Sequence, residues 1–134
     1  MSPASPSEWR GAGTILVVDD EEIVRDITRL ALEDAGFTVV GAAEGQAAIR
    51  IAKDDAKDLA LVILDLTMPG MSGEEVFFEL QGLRPNLPVV LCSGYSEQEA
   101  AGHLAGEGLA GFLQKPFRAM ELLAKVRSVL EPEA

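Results

Sequence analysis

Residues 61–70 read LVILDLTMPG, in which an unbroken apolar run ends at the carboxylate of Asp65 and the breaker pair Pro69-Gly70 follows. A β-branched and leucine-rich run of this length is typical of a strand that is covered on both faces. A helix of the same composition would need more length, which the Pro-Gly pair denies it. We therefore predict that Asp65 lies where a buried strand emerges into a loop, at the edge where open α/β sheets bind ligands. A polar residue that merely ends a strand would fit this stretch equally well.

The remainder of the chain alternates between short apolar runs and stretches with helical spacing. The apolar runs predict five strands, at residues 14–18, 37–40, 59–64, 88–93 and 111–115. Helices are predicted at residues 21–35, 43–56, 72–84, 96–104 and 118–130, the fourth of them weakened by glycines. Strict alternation with unbroken strands predicts an α/β domain in which helices wrap both faces of a doubly wound parallel sheet.

Apolar residues at helical spacing define one face of each long predicted helix. In the first helix these are Ile23, Ile27, Leu30 and Ala31. Those expected to pack inward from the later helices are Ala47, Ala48, Ile51 and Ala52, then Val76, Phe77, Leu80 and Leu83, and finally Leu122, Leu123, Val126, Val129 and Leu130. Ser72 and Glu75 have the spacing of a capping box at the start of the third helix.

Length and composition indicate one globular domain. The 134 residues are 48% hydrophobic and 25% charged, and no apolar run approaches the ~20 residues of a membrane helix. We assign residues 14–131 to the domain, residues 1–13 to a linker or disordered lead-in, and residues 132–134 to a tail. The single cysteine, Cys92, excludes an internal disulfide and, with no signal peptide, favours the cytoplasm. The net charge of −11 argues against nucleic-acid or membrane contact by this segment.

Polar residues of particular kinds follow the predicted strands. The first strand ends in Asp19 and Asp20, the third in Asp65, the fourth in Ser93 and the fifth in Lys115. In a parallel sheet these ends share one edge, so three carboxylates, one hydroxyl and one ammonium should converge. The carboxylates repel one another, a conflict that Mg²⁺ resolves with oxygen ligands. Such a set suits phosphoryl transfer, with one carboxylate as nucleophile. An ordinary ion pair between Lys115 and Asp65, with Ser93 only ending a strand, is the simpler alternative.

Four motifs resemble those of the response-regulator receiver domain of two-component signalling. They are VVDDE at residues 17–21, LDLTMPGMSG at 64–73, SGY at 93–95 and QKPF at 114–117. The resemblance covers about residues 14–130 and implies a flavodoxin-like (βα)5 fold with a five-stranded parallel sheet in order 2-1-3-4-5. The run CSGYS at residues 92–96 and WRG at 9–11 are similar to receivers at the C-terminal end of hybrid histidine kinases. The chain is then either a free-standing receiver or one excised from such a kinase.

The resemblance implies a role for each matching residue. Asp65 is expected to accept the phosphoryl group. Asp20 is expected to bind Mg²⁺ directly, Asp19 largely through water, and Thr67 through its backbone carbonyl. In this family the phosphorylated carboxylate also belongs to the metal site, so the expected metal set is Asp19, Asp20, Asp65 and Thr67. Lys115 is expected to pair with the phosphoryl group.

The resemblance also implies a conformational switch. Ser93 is expected to hydrogen-bond the phosphoryl group and move inward on phosphorylation, while Phe112 rotates into the vacated space. The affected face would include residues 96–104, the fifth strand and the last helix. Many relatives have threonine at the position of Ser93 and tyrosine at that of Phe112. Tyr95 lies where the family tunes water access, and its bulk predicts slow autodephosphorylation.

These features predict a phosphorylation-controlled switch in a phosphorelay, whose output is a protein contact. The expected partner is a histidine kinase or a histidine phosphotransfer domain, and the expected oligomeric state is a monomer or a weak phosphorylation-dependent dimer. Beyond its own phosphorylation and slow autodephosphorylation, no enzymatic activity is expected. The alternative is a Mg²⁺-dependent aspartyl-nucleophile phosphatase, which needs an acid where this chain has Thr67. A flavin or nucleotide binder is disfavoured because the acidic residues 19–22 would repel phosphate.

Overall fold

The computed structural model describes residues 11–54, 58–66, 68, 70–94 and 109–131. Within them the chain forms five strands and four helices. The strands are β1 (Thr14–Val18), β2 (Thr38–Ala42), β3 (Leu59–Asp65), β4 (Val89–Ser93) and β5 (Gly111–Gln114). The helices are α1 (Glu22–Asp34), α2 (Gly45–Lys53), α3 (Gly73–Leu83) and α4 (Ala119–Leu130).

All five strands belong to one parallel sheet in the order β2-β1-β3-β4-β5. The predicted α/β class and strand order are therefore confirmed. At the carboxyl edge the register pairs Val18 with Leu64, Asp65 with Cys92, and the last residue of β4 with that of β5. This register brings the residues that follow β1, β3 and β5 to the same edge.

The sheet separates two apolar clusters, as expected for strands that are buried on both faces. One cluster packs the sheet against α2 and α3 and includes Leu64, Phe77 and Leu91. The other packs it against α1 and α4 and includes Leu32 and Leu122. No helix among the described residues is long and apolar enough to cross a membrane.

Of the apolar face predicted for α1, Ala31 packs against the core but the three larger residues do not. Ile23, Ile27 and Leu30 are 74%, 62% and 59% exposed. The buried side chains of α1 are instead Thr28, which is polar, and Leu32, which lies beside the predicted face and not on it. Helical spacing identifies a face, but it cannot say which of two adjacent apolar stripes the sheet covers. The inward faces predicted for α2 and α4 are buried or half-buried, whereas on α3 Leu83 is 38% exposed.

The predicted second helix was too long, since α2 spans Gly45–Lys53 rather than residues 43–56. Arg84 offers a physical reason for its end. The guanidinium of Arg84 donates to the carbonyl oxygens of Ala52 and Asp54, both at 2.9 Å, and so satisfies acceptors at the end of α2. At the start of α3, Ser72 and Glu75 form the predicted capping box. The predicted helix at 96–104, residues 1–10 of the lead-in and the tail at 132–134 lie outside the described residues.

Candidate acidic site at the carboxyl edge of the sheet

Backbone hydrogen bonds fix the polar residues at the strand ends. The N–H of Asp19 donates to the carbonyl of Ala42 in β2, at 3.1 Å. Asp65 is the last residue of β3, and the N–H of Leu66 continues the ladder to the carbonyl of Cys92 at 2.8 Å. The N–H of Lys115 likewise donates to the carbonyl of Ser93 at 2.7 Å. The ends of β1, β3 and β5 thus bring together the side chains of Asp19, Asp65 and Lys115.

The Lys115 ammonium lies among three carboxylates. Its Nζ is 2.8 Å from Oδ2 of Asp19, 3.4 Å from Oδ2 of Asp65 and 3.9 Å from Oε1 of Glu21. Asp19 and Asp65 are each only 4% exposed, so the ammonium compensates charges that have lost most of their hydration. The predicted convergence of Asp19, Asp65 and Lys115, and the ion pair between Lys115 and Asp65, are therefore both present.

The pKa of Lys115 is raised above its ordinary value. Burial acts against the ammonium charge, but the hydrogen bond to Asp19 and the attraction of Asp65 and Asp19 outweigh it. The positive charge is consequently secure at neutral pH. Lys115 can then serve as a fixed counter-charge for an anion that arrives at Asp65.

Three carboxylates fit a divalent metal ion. One oxygen from each of Asp19, Asp20 and Asp65 lies within 4.8 Å of the others. Two of these side chains are buried and Asp20 is exposed, so the cluster is anchored on one side and open to solvent on the other. An all-oxygen, carboxylate-rich set of this kind, with room for retained water, fits Mg²⁺.

Ser93 and Phe112 lie on the same face of the sheet. Side chains alternate along β4, where Leu91 belongs to the cluster facing α2 and α3 and Cys92 to the opposite one, so Ser93 lies on the side of Leu91. Phe112, which pairs with Leu91 in the register, packs against the same cluster. Ser93 is fully buried and Phe112 is half-buried. Thr67 and Tyr95, the remaining predicted site residues, lie outside the described residues.

Two residues near the site were missed by the sequence analysis. Arg25 of α1 donates from its guanidinium to the backbone carbonyl of Asp19 at 2.7 Å. Gly73, at the start of α3, lies so close to the loop after Asp65 that a Cβ would be 2.5 Å from the Cα of Leu66. Arg25 could have been predicted, because an arginine in the first turn of the helix that follows Asp19 and Asp20 lies within reach of that strand end. Gly73 is the last residue of the motif at 64–73, but the motif did not reveal its close contact with Leu66, which depends on how α3 docks.

Cys92 is predicted to be chemically silent in the folded protein. Its side chain is buried beside the site, and burial raises the pKa of its thiol from 9.0 to about 12. The thiolate fraction at neutral pH should therefore fall about 1000-fold relative to an ordinary thiol. Titration with Ellman's reagent should show almost no reaction in native buffer and complete reaction in guanidinium chloride. Equal rates in the two solvents would contradict this burial.

The fold and the site together define a class of protein: a parallel α/β domain that carries an acidic cluster and a lysine at the carboxyl edge of its sheet. The sequence model of the response regulator receiver domain matches residues 15–127, and the chain belongs to this family. The family resemblance inferred from the four motifs is thereby confirmed.

Individual relatives agree with this assignment. The chain is 35% identical over 127 residues to the sensor kinase CckA of Brucella abortus, covering 95% of this chain and 13% of CckA. It is similar to a CheY-like receiver domain from Methanospirillum hungatei (TM-score 0.82, 27% identity, 90% and 94% of the two chains). It is also similar to the receiver domain of the hybrid histidine kinase CckA (TM-score 0.75, 33% identity, 89% and 100%). The chain thus spans only part of the curated relatives it matches. It covers 13% of the length of CckA and about half of the length of the regulator TcrX of Mycobacterium tuberculosis.

Proposed function

We propose that this receiver domain is a Mg²⁺-dependent switch that takes a phosphoryl group from a phosphohistidine onto Asp65 in a two-component phosphorelay. The observation that carries the proposal is the position of the Asp65 carboxylate, 3.4 Å from the Lys115 ammonium and within one acidic cluster with Asp19 and Asp20. A nucleophile, a fixed cation and oxygen ligands for a metal are the parts that phosphoryl transfer requires.

The chemistry follows from these groups. An oxygen of Asp65 attacks phosphorus in line with the bond to the donor imidazole, so one P–O bond forms and one P–N bond breaks. The electron pair of the broken bond stays on the imidazole nitrogen. The ammonium of Lys115 turns from Asp19 and Asp65 towards the phosphoryl oxygens, and the hydroxyl of Ser93 donates to one of them. Mg²⁺, held by the acidic cluster, would neutralise charge on the phosphoryl group.

The surface beside the exposed Ile27 of α1 is suited to the phosphodonor. A cavity of about 390 Å³ lies between α1 and the turn after β5, and Ile27 and Lys115 both line it. Apolar side chains supply most of its wall, from Val24, Ile27, Pro116 and Phe117. Because Lys115 also contacts Asp65, a partner helix seated here would bring its phosphohistidine beside the acceptor. The proposed partner is therefore a helical kinase or phosphotransfer domain with an apolar face.

The chain acts as the receiver of a hybrid kinase or as a separate receiver in the cytoplasm, as its similarity to CckA and to regulator receivers suggests. It binds no nucleic acid or membrane through this segment, and it is monomeric or dimerises weakly on phosphorylation. It performs no catalysis on separate substrates. Output arises through Ser93 and Phe112, which share one face of the sheet.

The test is the intact mass of the protein after incubation with acetyl phosphate and Mg²⁺. One phosphoryl adduct is expected, and it should be lost with Asp65→Asn and in chelator. Asp58→Asn is the matched control, because it alters an exposed carboxylate just before β3, at the opposite edge of the sheet. Rapid repeated turnover of the donor would instead indicate a phosphatase. Absence of an adduct with both acetyl phosphate and a phosphorylated histidine partner would overturn the proposal.

A further inference from the structure

We propose that Arg25 is a positioning residue for the metal site and that it acts on Asp20 through the peptide plane between Asp19 and Asp20. This inference rests on the Mg²⁺-dependent function proposed above. Arg25 does not reach a carboxylate of the site through any described hydrogen bond. Its NH1 group donates instead to the backbone carbonyl of Asp19, at 2.7 Å.

The carbonyl of Asp19 matters because of its place in the chain. A peptide group is planar, so fixing the oxygen of one residue also fixes the N–H and Cα of the next. Asp20 is exposed, and the carboxylates that share its site are held by buried strand ends. The hydrogen bond from Arg25 therefore fixes where the Cα of Asp20 lies and leaves its φ as the one backbone rotation that aims the side chain.

The surroundings of Arg25 hold it in this position. Its backbone N–H donates to the carbonyl of Glu21, at 2.9 Å, in the first turn around α1. Its aliphatic stem crosses β2 at Gly41, where a Cβ would lie only 3.3 Å from the Cδ of Arg25. The side chain thus lies over a strand position with no side chain, and its guanidinium reaches the end of β1.

A hydrogen bond inside the turn at residues 19–21 also restricts the backbone around Asp20. The N–H of Glu21 donates to Oδ1 of Asp19, at 2.9 Å. The carboxylate of Asp19 consequently holds one side of the turn around Asp20, and Arg25 holds the carbonyl on the other. With Arg25 removed, Asp20 would sample several directions and would have to be ordered again whenever the metal binds, which lowers affinity.

Positioning and electrostatics predict opposite results, which makes the inference testable. Removing a cation near an acidic cluster should strengthen the binding of Mg²⁺ if only long-range charge matters. Loss of an outer-shell hydrogen bond should instead weaken metal binding roughly tenfold. We expect Arg25→Ala to weaken Mg²⁺ binding by about that factor, measured by isothermal titration calorimetry on the unphosphorylated protein.

Arg29→Ala is the matched control, because Arg29 lies one turn further along α1 and pairs only with Asp26 among the described ion pairs, at 3.4 Å. It removes the same charge, so its Mg²⁺ affinity should stay equal or rise slightly. A purely structural role of Arg25 would lower the melting temperature and leave the affinity of the folded protein unchanged, which would overturn the proposal. Arg25→Met, which keeps an aliphatic stem over Gly41 but removes the donor, replaces Arg25→Ala if that variant does not fold, and the same loss of Mg²⁺ affinity is expected of it.

The two proposals fail in different ways. If the wild-type protein binds no Mg²⁺, the proposed function fails. If the wild type binds Mg²⁺ and Arg25→Ala binds it equally or more tightly, the inference about Arg25 fails alone.

Discussion

Lys115→Met is expected to lower the free energy of unfolding by about 3 kcal/mol in chelator, since breaking a buried ion pair leaves an uncompensated charge. The variant leaves Asp19 and Asp65 buried without the ammonium that lies 2.8 and 3.4 Å from them. Added Mg²⁺ should recover much of the loss, because an ion that binds only the folded state stabilises it. Urea titrations followed by circular dichroism, with chelator and with Mg²⁺, measure both quantities.

The direction in which the pKa of Lys115 is shifted determines the pH at which stability should be measured. Because the pKa of Lys115 is raised in the folded state, its contribution is fully present below the ordinary lysine pKa. It is lost only as the pH rises through the higher folded-state pKa. The urea titrations are therefore done at neutral pH, where Lys115 is charged and its contribution is complete. Lys53→Met is the control, since it removes an exposed ammonium from the last turn of α2 and should change stability by less than about 0.5 kcal/mol. An equal loss for both variants would show that Lys115 is not the counter-charge of the site.

Gly73→Ala is expected to lower the free energy of unfolding by about 3 kcal/mol, the upper part of the range for overpacking. A Cβ at Gly73 would lie 2.5 Å from the Cα of Leu66 and 2.8 Å from the carbonyl oxygen of Asp65. Both are backbone atoms, so the clash cannot be relieved by rotating a side chain. The loop after Asp65 or the start of α3 must shift, and phosphorylation of Asp65 by acetyl phosphate should slow in parallel.

Gly82→Ala in the same helix provides the control for Gly73→Ala. A Cβ at Gly82 meets nothing within 4 Å. The substitution should raise stability by about 0.5–1 kcal/mol, because alanine is the better helix former and restricts the unfolded chain. Thermal unfolding of both variants should thus give shifts of opposite sign. Two shifts of the same sign would mean that helix propensity, and not the approach of α3 to Asp65, controls the response.

The strand ends were predictable because they depend on short-range patterns. The unbroken run before Asp65 specified a strand buried on both faces, and alternation specified a parallel sheet, so the shared edge followed from topology. The contact between Lys115 and Asp19, 96 positions apart in the chain, was then a geometric consequence. The order of the strands came from the family resemblance, because alternation alone permits several orders.

Features that depend on how helices dock could not be predicted in this way. The apolar face of α1 was wrongly assigned because Ile23, Ile27 and Leu30 have the spacing of a core face. The sheet covers Thr28 and Leu32 instead, because the way α1 docks on the β-strands, and not its local spacing, selects the buried face. The contacts of Arg25 and Gly73 are of the same kind, since each joins a helix to backbone outside that helix.

The division of the core by the sheet has a consequence for how signals could be relayed. The cavity beside Ile27 lies on the side of α1 and α4, whereas Phe112 packs on the side of α2 and α3. In the proposed switch, a donor seated beside Ile27 would approach from one side of the sheet, so a change at Asp65 has to cross the strands to reach Phe112.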